Sequence, residues 1–225
     1  MAGICAAPIK GTHYRLVKVD ACGVPVTGAT SLVVTSKGFV QVVMEPQYED
    51  GQEFFERNAD GLPCVNQKDA PTLKRMQLTI DLCEVDPVGV TYALSARLLD
   101  TTSNPTTGTG WAMSEGAPSN KYSLEVWQRV AGSGACDASG LQRYIYNAWP
   151  HLGNTQIGSY TIENGRSTVQ LIAESFAAST QWGNGPGSGT SWLPNTAVAN
   201  ATDHWLWNIT TTTPPVEACG PTTLT

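Results

Sequence analysis

The chain has 225 residues, a formal net charge of −6 and 14% charged side chains, against about 25% in an average soluble protein. That acidic, charge-poor balance argues against a nucleic-acid reader that clamps phosphates, and 22 Gly with 14 Pro disfavour long unbroken helices. With 41% apolar residues and seven Trp, extensive disorder is excluded and a real core can form without disulfides or metal.

The opening residues, Met1 to Pro8, lack a basic n-region and are too short for a secretory signal, so no leader is expected. No window approaches about 20 consecutive apolar residues, so no membrane-spanning segment is expected. Tyr14–Val19, Ser31–Thr35 and Phe39–Met44 read as strands separated by turns such as Cys22-Gly23-Val24-Pro25. Met76–Leu82 alternates most cleanly. Met76, Leu78, Ile80 and Leu82 fall on one face and Gln77, Thr79 and Asp81 on the other, which predicts a half-buried strand. Asp86 can cap a short helix over Val88–Ala96, with Pro87 in its first turn. Thr101–Gly110 is a polar loop.

Tyr122–Val130, Leu141–Ala148, Ile157–Ile162 and Thr168–Phe176 read as later strands. Glu163-Asn164-Gly165-Arg166 suits a hairpin turn, because Asn-Gly tolerates positive φ. Gly183–Gly189 is a Gly-rich break, and no Lys or Arg follows Arg166. The last stretch carries Trp192, Trp205 and Trp207, the last two spaced to share one face of a strand. The expected organisation is a β domain over 1–190 and a C-terminal extension over 191–225 that docks on something.

Sites for chemistry are scarce. Cys5, Cys22, Cys64, Cys83, Cys136 and Cys219 include no C-x-x-C pair, and without a leader they are expected as free thiols. His13, His151 and His204 are far apart and lack metal-ligand spacing. No serine sits in a G-x-S-x-G elbow, and Gly185–Gly189 lacks the lysine of a phosphate loop. Asn200-Ala-Thr202 and Asn208-Ile-Thr210 match the glycosylation pattern, as chance matches in a Thr-rich tail.

The most unusual local feature is the acidic run of Glu45, Glu49, Asp50, Glu53, Glu56 and Asp60, opposed only by Arg57. A carboxylate pair for acid–base hydrolysis fits there, as does a calcium loop of irregular order. A solvated acidic face fits better, and repeated over many subunits it would repel polyanions. The seven Trp offer either stacking platforms for sugars or core and interface packing, and their number favours packing.

Residues 11–28 (GTHYRLVKVDACGVPVTG) resemble the start of the major tail proteins, the tail-tube subunits, of long-tailed, non-contractile phages of actinobacteria. The resemblance continues through Tyr48–Phe54, Arg57–Gly61, Cys64–Asn66, Leu73–Cys83 and Val85–Pro87. It returns at Tyr122–Trp127, Tyr160–Gly165 and Trp182–Pro186. The order and combination of these islands carry it, over most of residues 11–186.

The resemblance implies a mainly-β fold, a tail-tube-type β-sandwich or barrel with one short flanking helix and long loops. It implies a structural virion protein rather than an enzyme, with no cofactor and no metal. Six subunits would form a ring, and rings would stack into a tube around a tape-measure protein, bounded by a tail terminator and distal tail or baseplate proteins. Double-stranded DNA would pass through without specific binding, and no membrane partner is implied. The tube would be assembled in the host cytoplasm and reside in the virion tail.

On that footing Met76–Leu82 and its partners are expected in the channel-lining sheet. The acidic segment 45–60 is expected to reach a neighbouring ring or subunit, or to face the lumen. Two other classes compete. A carbohydrate-binding β module would stack sugars on Trp182, Trp192, Trp205 or Trp207. A hydrolase would use Glu49 with Asp50 or Glu53 with Glu56.

Overall fold

A computed structural model describes residues 6–100, 108–160, 162, 164–165, 167–178, 200–218 and 220–224. The strands are β1 (Ala7–Val19), β2 (Val33–Ser36), β3 (Phe39–Glu49), β4 (Glu53–Arg57), β5 (Pro63–Lys68) and β6 (Thr72–Leu82). After helix α1 (Pro87–Leu94) come β7 (Arg97–Asp100), β8 (Gly108–Ala112), β9 (Lys121–Ala131), β10 (Tyr144–Tyr160), β11 (Val169–Ser175) and β12 (Leu206–Thr210). The fold is mainly β. One antiparallel sheet runs β2-β1-β9-β10-β11-β6-β3, with β12 also on β10, and two small hairpins, β4–β5 and β7–β8, stand apart.

The period-two pattern of β6 is realised as read: Met76, Leu78, Ile80 and Leu82 are buried. They meet Leu171 and Ala173 of β11, Tyr14 and Leu16 of β1, Leu124 and Val126 of β9, and Val90 and Leu94 of the helix. Strands from both ends of the sheet order share this core, so the sheet is rolled. The ring of Phe39 on β3 meets that of Tyr14 on β1 edge-on, with centroids 6.1 Å apart. Gly11 permits this closure, because a Cβ there would stand 2.4 Å from the Phe39 ring.

β10 is a single strand of 17 residues where the sequence suggested two. Pro150 and Gly153 lie at its middle, and its register slips between Trp149 and Leu152 against β9 and between Gly153 and Gln156 against β11. Those bulges bend the strand without ending it. Its first half pairs β9 and β12 and its second half pairs β11, so β11 and β12 lie end to end along one edge.

The helix forms as its signals dictate. Asp86 Oδ1 accepts from the N–H groups of Val88 and Gly89, both at 2.9 Å. Ser95 ends the helix in the left-handed region, at φ 53°. No helix among the described residues is long and apolar enough to cross a membrane.

The described C-terminal residues are sewn into this same fold. Trp205 packs against the main core just before β12, while Trp207 is 49% exposed. Thr222 pairs with Val33, the Gly220 N–H donates to Asp86 Oδ2, and Leu224 is buried with Val17 and Val33. The outer edge of β2 is thereby covered. The outer edge of β3 has no strand partner among the described residues.

One charged pair is fully buried. Arg15 Nε donates to Glu125 Oε2 at 2.6 Å, both side chains are inaccessible, and the Tyr146 hydroxyl donates to Glu125 Oε1. The Arg15 guanidinium also lies 5.4 Å from the Trp127 ring centroid. Cys22, Cys64, Cys83 and Cys136 are free thiols, while Cys5 and Cys219 lie outside the described residues. So do the Gly183–Gly189 break, Trp182 and Trp192, most of the Thr101–Gly110 loop, and Glu163 and Arg166 of the expected turn.

Candidate functional site

The feature that stands out is an arm. β3 and β6 stay paired from Phe39–Leu82 to Glu49–Thr72, but β11 supports β6 only from Gln77 to Leu82. Beyond that support the two strands run on as a free ribbon and hand over to β4–β5 at the tip. From Tyr48 to Lys74 every residue except Gly51 is exposed. Tyr48, Phe54, Phe55, Leu62, Val65 and Leu73 are among them, with Leu62 63% exposed.

A tight turn shapes the tip. Asn58 Oδ1 accepts from the N–H groups of Asp60 and Leu62, and Gly61 takes φ 79°. At the neck, Gly51 comes so close to the Asp69 carbonyl that a Cβ would stand 2.0 Å from its oxygen.

All six acidic residues singled out from the sequence lie on this arm. Glu45 opposes Gln77 and Glu49 opposes Thr72 on the ribbon. Asp50 follows β3, Glu53 and Glu56 are on β4, and Asp60 is in the tip turn. All are exposed, and among the described residues the one ion pair they make is Glu49–Lys74 at 4.0 Å. Spacing of three along β4 puts Glu53 and Glu56 on opposite faces of the strand, while Asp50 lies just beyond the end of β3. The arrangement offers water-bathed carboxylates along a projection, and Glu53 and Glu56 both border one wide-open hollow at the tip. Among the described residues no three His, Cys, Asp or Glu side chains converge to hold a metal.

The outward face of β6 lies at the centre of a polar surface. Gln41 and Gln170 both donate to Asp81, at 2.6 and 2.9 Å. Arg75 bridges Gln47 Oε1 at 2.9 Å and Glu174 at 3.1 Å, and Asn154 donates to Glu174 at 3.0 Å. Side-chain amides dominate this face, and Arg75 partly offsets its carboxylates.

His151 and His204, distant in sequence, approach each other where C-terminal residues dock. The Ser175 hydroxyl and His204 Nδ1 are 2.8 Å apart, and Ser175 Oγ also accepts from the Met76 N–H at 2.8 Å. A Ser–His contact is a nucleophile's geometry, but Ser175 is 2% exposed and its oxygen already serves the backbone. His151 Nδ1 lies 3.2 Å from the Ala177 carbonyl, and His13 faces Lys37 and Glu217. Burial lowers the pKa of all three.

Sequence reading missed a basic end of the sheet. Lys10 on β1 and Arg129 on β9 are direct cross-strand partners, and Arg143 lies just before β10. Lys10 and Arg129 are exposed. Lys10 and Arg129, about 120 residues apart, leave no local signal; the pairing of β1 with β9 brings them together.

A scan against protein-family models finds no match, and a search of curated proteins finds none either.

Proposed function

We propose that this chain is a structural subunit that works by contact with identical copies: a phage tail-tube protein that forms hexameric rings, stacked into the conduit for DNA ejection. The observation that carries this reading is the arm. A two-stranded ribbon is marginal in water, and this one exposes aromatic and aliphatic side chains along its length. Such a projection makes physical sense when another molecule covers it.

The sheet edges support the same reading. The chain covers the edge of β2 with its own C-terminal residues, while among the described residues the 11-residue edge of β3 has no strand partner. Unpaired N–H and C=O groups there can extend the sheet into a neighbour. The amide-rich face around β6 suits the wall of a channel for a polyanion. It has no array of cations for phosphates to displace counterions from.

The competing reading, a carbohydrate-binding module, has a single exposed tryptophan among the described residues, Trp207. One isolated ring is a weak platform. Negative-stain microscopy of the purified protein tests the proposal. Rings or rods with a central hole are expected, and a protein that stays monomeric at high concentration overturns it.

A further inference from the structure

Resting on that reading of the chain as a self-assembling subunit, we infer that the arm tip of one copy docks on the basic sheet end of a second copy, at Ile9, Lys10, Arg129, Leu141 and Arg143. The two faces of the tip differ in a way that picks out the docking face. On one, Glu53 is the cross-strand partner of Lys68, and the Arg57 guanidinium lies 5.2 Å from the Phe55 ring centroid. That face carries cations of its own, Lys68 and Arg57, beside its carboxylate. On the other, Glu56 opposes Val65 and Phe54 opposes Gln67. Residues of this second face line an open hollow of about 620 Å³, which Glu53 and Phe55 also border, and Glu56 stands there beside apolar side chains with no cation as its cross-strand partner.

The sheet end is its complement. Like charges placed directly across two strands repel, yet Lys10 and Arg129 are paired in this way. Arg129 Nε donates to Gln142 Oε1 at 3.3 Å and Arg143 Nη1 to the Gly134 carbonyl at 3.3 Å, both neutral acceptors. Lys10 makes no ion pair among the described residues. Asp137, six residues before Arg143, accepts with Oδ1 from the Ser139 and Leu141 N–H groups of its own turn, and Glu125, four residues before Arg129, is buried against Arg15. Ile9 is 64% and Leu141 56% exposed, so apolar surface flanks the cations. A face of Phe54, Val65 and Glu56 matches this surface in both hydrophobicity and sign. Among the described residues the tip strands pair only with each other, and the match in sign and hydrophobicity to this sheet end makes a second copy the occupant.

Native thiols supply the test. Cys64 on β5 and Cys136 beside Gln142 are both exposed and free. Full-length protein labelled with ¹⁴N and with ¹⁵N is mixed under assembling conditions, treated with a short bis-maleimide, digested and weighed by mass spectrometry. Mixed-isotope Cys64–Cys136 peptides are expected. The K10E/R129E double variant and the E56R variant should each lose that cross-link and need about tenfold more protein to assemble, a shift of about 1.4 kcal/mol. Mixing the two variants should restore assembly, because each end then meets a complementary partner, and restoration shows that both are folded. If K10E/R129E assembles like the parent, or Cys64 cross-links elsewhere, the docking is wrong while self-assembly stands. If the parent chain forms no higher-order particle at all, the underlying reading falls and takes the docking with it.

Discussion

Ser175 at the end of β11 and His204 just before β12 lie 2.8 Å apart, at the junction where these two strands meet along one edge of β10. The Ala178 N–H donates to the Asp203 carbonyl beside them, so this contact fastens the returning C-terminal residues to the sheet. Ser175→Ala removes the hydroxyl that serves both His204 and the Met76 N–H. It is expected to cost about 1–3 kcal/mol, read as a shift in the urea midpoint. No change would mean that the junction is held by its backbone alone.

The histidines make stability depend on acidity. Burial lowers the folded-state pKa of His13, His151 and His204 below the ordinary 6.5, so the unfolded chain takes up protons first as pH falls. Their contribution is fully present above 6.5 and is lost as pH drops toward the folded values. His151 faces Lys121, Asp20 and His204, His204 faces Asp203, and His13 faces Lys37 and Glu217. Calorimetry should show Tm declining below pH 6.5, with a shallower decline in His204→Asn. A slope unchanged by that substitution would remove His204 from the account.

The Arg15–Glu125 pair behaves differently under single and double substitution. Glu125→Gln leaves a buried guanidinium without its carboxylate and is expected to cost about 3–5 kcal/mol. Arg15→Met combined with Glu125→Leu should cost much less than the sum of the two single changes. A double-mutant cycle in urea measures this, and additive losses would contradict a coupled pair.

Gly51→Ala separates the arm from the fold. Its Cβ would collide with the Asp69 carbonyl at the neck, far from the main core. Tm should change little while ring or rod formation is lost. Normal assembly in this variant would show that the arm's geometry is immaterial.

Neutralising Glu49, Asp50, Glu53 and Glu56 together, as Gln and Asn, should impair tube growth or slow genome exit, with the far-ultraviolet circular dichroism unchanged. Unaltered assembly and infectivity would take these carboxylates out of the function.

Asp86 ties the helix to the C-terminal residues, with Oδ1 on the Val88 and Gly89 N–H groups and Oδ2 on that of Gly220. Asp86→Ala should cost about 1–2 kcal/mol and speed amide exchange at Gly220 as well as at the helix start. Exchange confined to the helix would show that the second oxygen contributes nothing.

What the sequence disclosed follows from how local each signal is. β6 and the Asp86-capped helix rest on side chains a few positions apart, so pattern alone placed them. The two expected strands around Leu141–Ala148 and Ile157–Ile162 proved to be parts of β10. Pro150 and Gly153 punctuate the pattern, yet neighbours on both sides keep the strand continuous. β4 and β5 expose both faces and so lack the alternation that a core imposes. The acidic run was visible, with the expectation that it reaches outward, but not that paired strands, β3–β6 and β4–β5, carry it. The Arg15–Glu125 pair could not be read at all, because 110 residues separate its members and nothing near either announces the other.

The ribbon of the arm is continuous with strands inside the rolled sheet, and this fixes how the molecule bears load. A pull on the tip along the ribbon acts parallel to β3 and β6. The cross-strand hydrogen bonds of β3–β6 and β6–β11 then resist in shear, all at once, instead of parting one by one like a zipper. Subunits joined through such arms would pass tension directly from one sheet to the next.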